Sequence, residues 1–337
     1  MNWYLQNGKE SDVIFSSRVR LSRNIKGIQF TPKCNDEDFK KVHNIMKDAS
    51  FSLGYGLKFI DLKDIDDLTR GVLAEKHLIS QEFAKSKNPY AAIIINDDES
   101  ICIEINEEDH IKIQVFSSGL DIENLMNLAI EIDQKLENIV PYSYNDQYGY
   151  LTACPTNVGT GLKASVLVHL GGLALTGNIP KVINVINNFG MSVRGAYGEG
   201  TKVEGDLYQI SNNQTLGVTE GEIIKNLKLI SQKIISQERL ARKFLTKNST
   251  ELEDRVYRDF GVLSNARKLT NDETKELLST VKIGTDLGII KELNDTKMRE
   301  LLLYTKPYNL QKRQNKNLNL YEQEIERPKV IKDIINS

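Results

Sequence analysis

The stretch Ala91-Ala-Ile-Ile-Ile-Asn-Asp-Asp-Glu-Ser-Ile101-Cys-Ile-Glu-Ile105 holds two runs rich in isoleucine, separated by the polar residues 96–100. β-branched runs favour strands and a short polar interval favours a turn, so the stretch predicts a β-hairpin. Ile111, Ile113 and Val115 then alternate with polar residues, which predicts a third strand. The acidic segment Asn106-Glu-Glu-Asp-His110 is therefore expected to be the turn between two strands. Taken alone, its composition is that of an ordinary solvated hairpin tip.

Helical spacing of apolar residues marks several later segments. Asp121 is the predicted N-cap of the first of them. The predicted helices are 121–137, a buried helix over Leu162–Leu173, Lys181–Phe189 between Pro180 and Gly190, and a long helix to about Phe244 that opens at the capping box Thr219-Glu-Gly-Glu222. Helices interspersed with hairpin strands predict an α+β fold in which helices flank an antiparallel sheet.

The sequence pattern changes after about residue 246, where short helical patterns replace predicted strands. These patterns cover 251–259, 272–281 and 297–304. We therefore predict two domains, residues 1–245 and a small helical C-terminal domain of residues 246–337. Residues 306–328 are polar and rich in lysine, and we expect them to be mobile.

Composition limits the classes of function. The chain has 337 residues, 40% of them hydrophobic and 27% charged, with a formal net charge of -2, so no overall field favours nucleic acid or a membrane surface. No apolar run approaches the roughly 20 residues of a membrane span, and the N-terminus has no signal-peptide core. The three cysteines Cys34, Cys102 and Cys154 have unrelated spacings, which suits a reducing cytoplasm.

One of those cysteines lies in an unusual turn, Gly149-Tyr-Leu-Thr-Ala-Cys154-Pro-Thr-Asn-Val-Gly-Thr-Gly161. Pro155 cannot donate a hydrogen bond, and Gly159 and Gly161 allow backbone angles closed to other residues. A bent, glycine-rich turn lets backbone amides approach an anion closely, so Cys154 is a candidate reactive thiol. The alternative for Cys154 by itself is a buried structural cysteine.

Four motifs in this order resemble the phosphagen (ATP:guanidino) kinase family. They are the basic Ser16-Ser-Arg18-Val-Arg20, the acidic Asn106–His110, the cysteine turn and the glycine-rich Arg194-Gly-Ala-Tyr-Gly-Glu199-Gly-Thr. Further stretches look like the bacterial protein-arginine kinases of that family: Val158-Gly-Thr-Gly161, Gln209–Gly217, Glu251–Arg258 and Gly261–Asn265. The resemblance covers about residues 11 to 305 and implies the same α+β fold, with residues 1–245 as the catalytic domain.

The resemblance implies ATP-dependent phosphorylation of arginine side chains in proteins, and the phosphoarginine would mark clients for Clp-type proteolysis. Glu108 and Glu199 would grip the planar guanidinium, and Cys154 would lie beside it as a thiolate that adds negative charge without forming a covalent bond. A guanidinium is a poor nucleophile while protonated, which is why carboxylates suit this chemistry.

The family's nucleotide site also transfers onto this sequence. The residues that match it are Ser16, Ser17, Arg18, Val19, Arg20, His77, Lys112, Lys163, Ala164, Ser165, Val166, Leu167, Arg194, Gly195, Ala196, Tyr197 and Gly198. The hydroxyls of Ser16 and Ser17 are expected to add contacts. ATP chemistry implies Mg²⁺, held mainly by phosphate oxygens and water because no protein cage for a metal is readable.

Three positions depart from the family pattern. Lys112 and Lys163 stand where the family has arginine, which keeps the charge but loses the bidentate fork and predicts weaker nucleotide binding. The phosphoarginine-binding RDxxRA motif of the bacterial enzymes corresponds here to Gln323–Pro328, where only Arg327 is kept. Allosteric activation by phosphoarginine is therefore not expected.

Two other functions stay open at this point. One is a catalytically weak regulator that binds a repressor or a Clp chaperone, and the other is a small-molecule guanidino kinase. The resemblance further implies a homodimer and, as partners, the activator McsA, the repressor CtsR and the unfoldase ClpC.

Overall fold

The computed structural model describes residues 2–195 and 203–337. Within these ranges the strands are β1 Ile14–Arg23, β2 Lys58–Asp61, β3 Ala92–Ile95, β4 Ile101–Ile105, β5 Ile111–Ser118, β6 Tyr144–Asn145, β7 Gly149–Tyr150, β8 Leu162–His169, β9 Met191–Gly195 and β10 Leu207–Asn212. Eight of these described strands form one sheet in the order β2-β3-β4-β5-β1-β8-β10-β9, and β6 pairs with β7. Every pairing in the large sheet is antiparallel.

Helices flank this sheet and make up the C-terminal region. They are α1 Asp36–Ser50, α2 Asp67–Glu75, α3 Gln81–Ala84, α4 Ile122–Glu137, α5 Gly171–Leu175, α6 Ile179–Asn188, α7 Glu220–Leu245, α8 Ser249–Asn265, α9 Asn271–Asp286, α10 Asp295–Tyr304, α11 Pro307–Gln314 and α12 Leu320–Asn336. The predicted α+β class with an antiparallel sheet is confirmed. Among these helices, none combines the length and the apolar character that a bilayer span requires.

Local signals in the sequence account for many of these elements. The predicted hairpin is β3–β4, and the acidic segment connects β4 to β5. The capping box is present at the start of α7, where Thr219 and Glu222 each bond the other's backbone amide. The helix after Asp121 is also present as α4, although the Asp121 side chain does not cap it.

The prediction of a buried helix over 162–173 is wrong. Residues Leu162–His169 form β8, and only Gly171–Leu175 is helical. Leu162, Ala164, Val166 and Val168 recur at every second position, and this period of two buries one face of a strand. The run is apolar because β8 lies near the centre of the sheet, so its length alone could not separate strand from helix.

The main hydrophobic core fills the space between one face of the sheet and helices α1, α4 and α7. Val19, Ile113 and Val166 contribute from the strands and Ala129 and Leu227 from the helices, each with no exposed surface. A smaller cluster covers the β3–β4 part of the opposite face, where Trp3, Leu78 and Phe83 pack on Ile93 and Phe116. The remainder of that opposite face is left to polar side chains.

Helices α8 to α12 pack around a third cluster that includes Val256, Leu278, Leu301 and Ile331. Residues 306–328 form α11 and the first half of α12, and the mobility expected for them stays a prediction. Lys312 and Lys316 face solvent, while Arg327 is fully buried and donates to the carbonyls of Thr305 and Leu269. The domain boundary at residues 245/246 stays a prediction.

Candidate active site

Strand alternation sets a row of cations on the open face of the sheet. In β1, Val19 faces the core while Ser16, Arg18 and Arg20 face the other way. Registers then bring the next strands into the row: Arg18 pairs with Ser165, Arg20 with Lys163 on one side and with Gln114 on the other. Gln209 of β10 pairs with Arg194 of β9.

These side chains surround a cavity of about 190 Å³. Its lining includes the cations Arg18, Arg20, Lys112, Lys163 and Arg194, together with His77, Glu104 and Ser211. The cavity therefore carries a local excess of positive charge in a chain whose formal net charge is -2.

Nearby carboxylates compensate the two arginines of β1 only in part. Burial lowers the pKa of Arg18 well below its usual value, and the neighbouring charge of Arg20 adds to this. Burial also lowers the pKa of Arg20, although Glu104, Glu107 and Glu108 act against it. The Arg20 Nε atom is buried with no hydrogen-bond partner among the described residues. Since arginine stays protonated in proteins, both side chains fit a site that takes an anion such as a triphosphate.

Four of the predicted nucleotide-binding residues have side chains on the opposite face of the sheet from this cavity. Ser17 and Val19 of β1 lie directly opposite Val166 and Ala164 of β8, on the core face of the sheet. The Ser17 hydroxyl does not point into the cavity as expected. It donates to the Gly119 carbonyl and accepts from the Asp121 amide. Their neighbours Ser16, Ser165 and Leu167 do lie on the open face, where they line a region that adjoins the cavity.

His77 lies between the cationic cavity and this adjoining region, and it lines both. It has a left-handed backbone (φ 63°), an unusual conformation for a residue other than glycine. Burial lowers the pKa of its imidazole well below the usual value, so the ring is neutral. Trp3 and Phe116, whose rings stack 5.3 Å apart, also line the adjoining region.

Lys112 is held by two carboxylates. Its Nζ lies 2.9 Å from Glu104 Oε2 and also bonds Glu107. The pair of acids raises the pKa of Lys112 against the effect of burial, so the ammonium stays charged. Sequence reasoning missed Glu104, although its position two residues before the acidic segment, on the same face of β4 as Cys102, was a usable signal.

The acidic loop brings Glu108 to Cys154. Burial raises the pKa of the Glu108 carboxyl, and the Cys154 thiol, which donates a hydrogen bond to that carboxyl, acts against this rise. Cys154 Sγ also lies 3.0 Å from the Thr156 hydroxyl. The thiol is partly exposed, so the alternative of a fully buried structural cysteine does not hold.

The remaining members of the acidic loop are structural. Asp109 accepts from the Asn24 side chain and from the Ala153 amide, both at 2.7 Å. His110 accepts from the Ile25 amide at Nδ1 and lies 2.8 Å from the Gln29 carbonyl at Nε2. Those contacts fix a neutral ring, in line with the lowering of the His110 pKa by burial.

The cysteine turn is bent as its glycines predict. Gly159 (φ 112°) packs so closely on Thr215 and Leu216 that a Cβ at this position would lie 2.3 Å from the Thr215 carbonyl oxygen. The Thr215 hydroxyl in turn donates to the carbonyls of Thr156 or Val158. The turn that carries Cys154 is therefore anchored on the segment after β10.

The second predicted carboxylate, Glu199, lies outside the described residues, as do Ala196, Tyr197 and Gly198. Arg194 and Gly195 form the end of β9 that leads into this segment. The described part of the site thus has two components, a cationic cavity and an acidic loop. The loop lies close enough to Arg20 to affect its pKa, and its Glu108 contacts the thiol of Cys154.

A cationic cavity on an antiparallel sheet, beside a carboxylate and a thiol, defines the class of ATP-dependent guanidino phosphotransferases. The fold is similar to that of lombricine kinase, with a TM-score of 0.60 and 26% identity over 69% of this chain and 68% of that chain. It is also similar to the duplicated taurocyamine kinase from Schistosoma mansoni with bound transition state analog components, with a TM-score of 0.62, 25% identity and coverage of 73% and 36%.

Sequence comparison narrows this class. The family model for the ATP:guanido phosphotransferase C-terminal catalytic domain matches residues 40–241, and that for the protein-arginine kinase McsB C-terminal domain matches residues 249–337. The protein-arginine kinase of Halothermothrix orenii is 43% identical over 99% of this chain and 96% of its own length. That of Bacillus cereus (strain G9842) is 41% identical over 98% and 94%. The chain belongs to the protein-arginine kinases of the ATP:guanido phosphotransferase family.

Proposed function

We propose that this chain transfers the γ-phosphoryl group of ATP to arginine side chains of proteins. The observation that carries the proposal is the pairing of Glu108 with Cys154 next to a cavity lined by buried arginines. An acid and a thiol at one end suit a guanidinium, and buried cations at the other suit a triphosphate.

In the proposed reaction, a guanidinium nitrogen attacks the γ-phosphorus, the bond from that phosphorus to the β,γ-bridging oxygen breaks, and ADP leaves. The nitrogen loses a proton, which Glu108 or Glu199 accepts. Burial raises the pKa of Glu108, which makes it a better proton acceptor than an ordinary glutamate. Arg18, Arg20 and Arg194 would stabilise the charge on the phosphoryl group in transit.

Mg²⁺ would accompany the nucleotide, bound mainly by phosphate oxygens and water. The described residues contain no group of three His, Cys, Asp or Glu side chains arranged to hold a metal ion. When bound with the nucleotide, the metal would supply positive charge that offsets the charge developing on the leaving ADP.

A protein acceptor suits the surroundings of the thiol better than an enclosed small molecule does. Pro155 and Thr156 are exposed next to Cys154. The β6–β7 hairpin, which bonds the cysteine turn through Tyr150 and Gly159, carries the exposed Tyr144 and Tyr148. An open surface with exposed aromatic rings can receive an arginine that projects from a folded chain.

The finer parts of the proposal rest on the family resemblance alone. We propose that the phosphoarginine marks clients for Clp-type proteolysis in the cytoplasm, that the enzyme is a homodimer, and that McsA, CtsR and ClpC are its partners.

The decisive experiment compares free arginine with an arginine-rich protein as acceptor for Mg-ATP. We expect acid-labile phosphate on the protein, assigned to arginine by mass spectrometry, and little product from free arginine. Glu108→Gln serves as the inactive control. Phosphorylation of free arginine alone would establish a small-molecule kinase, and ATP binding without transfer to either acceptor would establish a kinase-like regulator.

A further inference from the structure

A carboxylate lies inside the cavity that would receive the phosphates. Glu104 of β4 and Lys112 of β5 are in direct register, and both side chains line the cavity. Only 1% of Glu104 and 7% of Lys112 are exposed, and Lys112 Nζ lies 2.9 Å from Glu104 Oε2. A buried carboxylate next to a polyphosphate repels it, so its presence in this cavity needs a reason.

The position of Glu104 is fixed from a second side. Its Oε1 atom accepts a 3.1 Å hydrogen bond from the Ser80 amide, and the Ser80 hydroxyl donates to Glu107 at 3.0 Å. Ser80 is also the N-cap of α3, since its hydroxyl accepts from the Phe83 amide. Ser80 therefore positions both Glu104 and Glu107, the two carboxylates that contact Lys112.

The Lys112 side chain can exchange partners. It is a point charge on a flexible four-carbon stem with three donors, whereas an arginine fork would be fixed by two carboxylates. Lys112 Nζ donates a hydrogen bond to Glu107, whereas Glu104 Oε2 lies at ion-pair distance but has no well-aligned hydrogen-bond donor among the described residues. When another anion binds Lys112, the contact with Glu104 is therefore expected to break before the contact with Glu107.

We propose that Glu104 is a positioning residue that competes with the nucleotide: it holds Lys112 in the empty cavity, and phosphate binding requires Lys112 to exchange the Glu104 carboxylate for a phosphate oxygen. This inference rests on the proposed function, because it takes the cavity as the site of the ATP phosphates. On this proposal, one carboxylate, that of Glu104, lowers the affinity of this chain for the nucleotide.

The test measures ATP affinity without an acceptor, by calorimetric titration of Mg-ATP into the full chain. Because Lys112 would no longer have to leave a charged partner, Glu104→Gln should tighten binding by about tenfold. In steady-state assays the same variant should lower KM for ATP by a similar factor. Adenosine, which has no phosphate, should bind both proteins equally.

Glu104→Asp separates the competition from the simple removal of negative charge. Aspartate keeps the charge but is one methylene shorter, so it withdraws from Lys112, and we expect it to tighten binding as the glutamine variant does. Wild-type affinity in Glu104→Asp together with tight binding in Glu104→Gln would overturn the proposal in favour of general charge repulsion. Unchanged or weaker ATP binding in both variants would overturn it as well.

The matched control is Glu123→Gln, which removes a carboxylate from Lys228 on the helical side of the sheet, where the two groups lie 2.6 Å apart. It should leave ATP affinity unchanged. Thermal unfolding shows whether Glu104→Gln folds, and Glu104→Asp carries the test if it does not. A chain that binds ATP yet phosphorylates no arginine would refute the proposed function but leave this binding comparison intact.

Discussion

The Asp109 carboxylate accepts a 2.7 Å hydrogen bond from the backbone amide of Ala153, the residue before Cys154. The acidic loop is thereby joined to the cysteine turn at the point where Glu108 meets the thiol. The same Asp109 oxygen accepts from Asn24, which follows β1, so the strand that carries Arg18 and Arg20 is tied in as well. One buried carboxylate thus relates three motifs that are far apart in sequence.

The first prediction concerns this carboxylate. Asp109→Ala removes the link, and a misplacement of the order of 1 Å between Glu108 and Cys154 should lower kcat/KM for the protein acceptor by about 10²-fold. The ATP dissociation constant should stay within about twofold, because Asp109 does not line the cavity. Asp109→Asn keeps an oxygen acceptor and should retain most of the activity. Equal losses in both variants would show that the charge, not the link, is what matters.

The second prediction separates the two groups that would hold the guanidinium. Glu108→Gln removes the proton acceptor and should lower kcat by about 10²- to 10⁴-fold. Cys154→Ser keeps a hydrogen bond to Glu108 but withdraws the polarisable sulfur, and its loss should be smaller. Thr156→Ala, which removes only the hydroxyl 3.0 Å from the thiol, is the control and should stay near wild type. The measurement is steady-state phosphorylation of a protein acceptor at saturating ATP.

Sequence patterns were sufficient for elements whose signals are local. The β3–β4 hairpin, α4 and the capping box of α7 each lie where a run of β-branched residues, a 3.6-residue period or a Thr–Glu spacing indicates them. The residues of β8 gave the wrong answer because Leu167 and the apolar residues of its buried face together hide the two-residue period of the strand. The helices over residues 306–328 were not predicted, because contacts such as those of the buried Arg327 with Thr305 and Leu269 are not visible in any local pattern.

The site was predictable from motifs only as a set of positions. The resemblance supplied Arg18, Arg20, Glu108 and Cys154, but not which neighbours of the arginines share their face. That distinction follows from the two-residue period of β1 and β8 once both are known to be strands. The effect of Glu104 on nucleotide binding could not be predicted from sequence. It depends on the pairing register of β4 and β5, which places Glu104 opposite Lys112.

The third prediction concerns the second lysine that replaces a family arginine. Lys163 lies next to Arg20 across β1 and β8 and lines the cavity. Lys163→Arg should tighten ATP binding by about three- to tenfold, since an arginine fork can bind phosphate through two hydrogen bonds. Lys112→Arg should increase ATP affinity less, because the cation at position 112 is already paired with Glu104 and Glu107. Calorimetric titration of Mg-ATP tests both, and an unaltered ATP affinity in Lys163→Arg would contradict the prediction.

The fourth prediction is a pH dependence of stability that arises at His169. Burial, together with the charges of Arg242 and Lys282, lowers the pKa of His169 well below its usual 6.5. Arg242 lies 3.4 Å from Nδ1, so that atom is the acceptor and Nε2 donates to Ser279, whose hydroxyl bonds Asp206. Below pH 6.5 the unfolded chain takes up a proton that the folded chain refuses, so the stabilisation is complete above pH 6.5 and declines as the pH falls.

His169→Gln should remove this contribution. The unfolding free energy of the wild type should fall by up to about 1.4 kcal/mol per pH unit more steeply than that of the variant. Urea denaturation between about pH 5 and pH 7.5 measures both slopes, with the other histidines common to the two proteins. A constant offset between the two curves would show that His169 contributes through packing alone.

The fifth prediction concerns Glu238, a fully buried carboxylate that orients the end of β8. It accepts from the amides of Gly172 and Leu173 at 2.8 and 2.9 Å, at the start of α5, and from Arg242 at 2.7 Å. Glu238→Ala leaves two buried amides unpaired and removes a carboxylate from a buried guanidinium, so it should lower the unfolding free energy by about 3 to 5 kcal/mol.

Glu238→Gln keeps one oxygen acceptor and should cost less than the alanine variant. Asp254→Ala, which removes an exposed carboxylate from Arg258, is the matched control and should leave the unfolding midpoint unchanged. Because α5 directly follows the strand that carries Lys163, Ser165 and Leu167, Glu238→Gln should also weaken ATP binding if the helix shifts. Denaturation and ATP titration of the same samples distinguish a global loss of stability from a local displacement of β8.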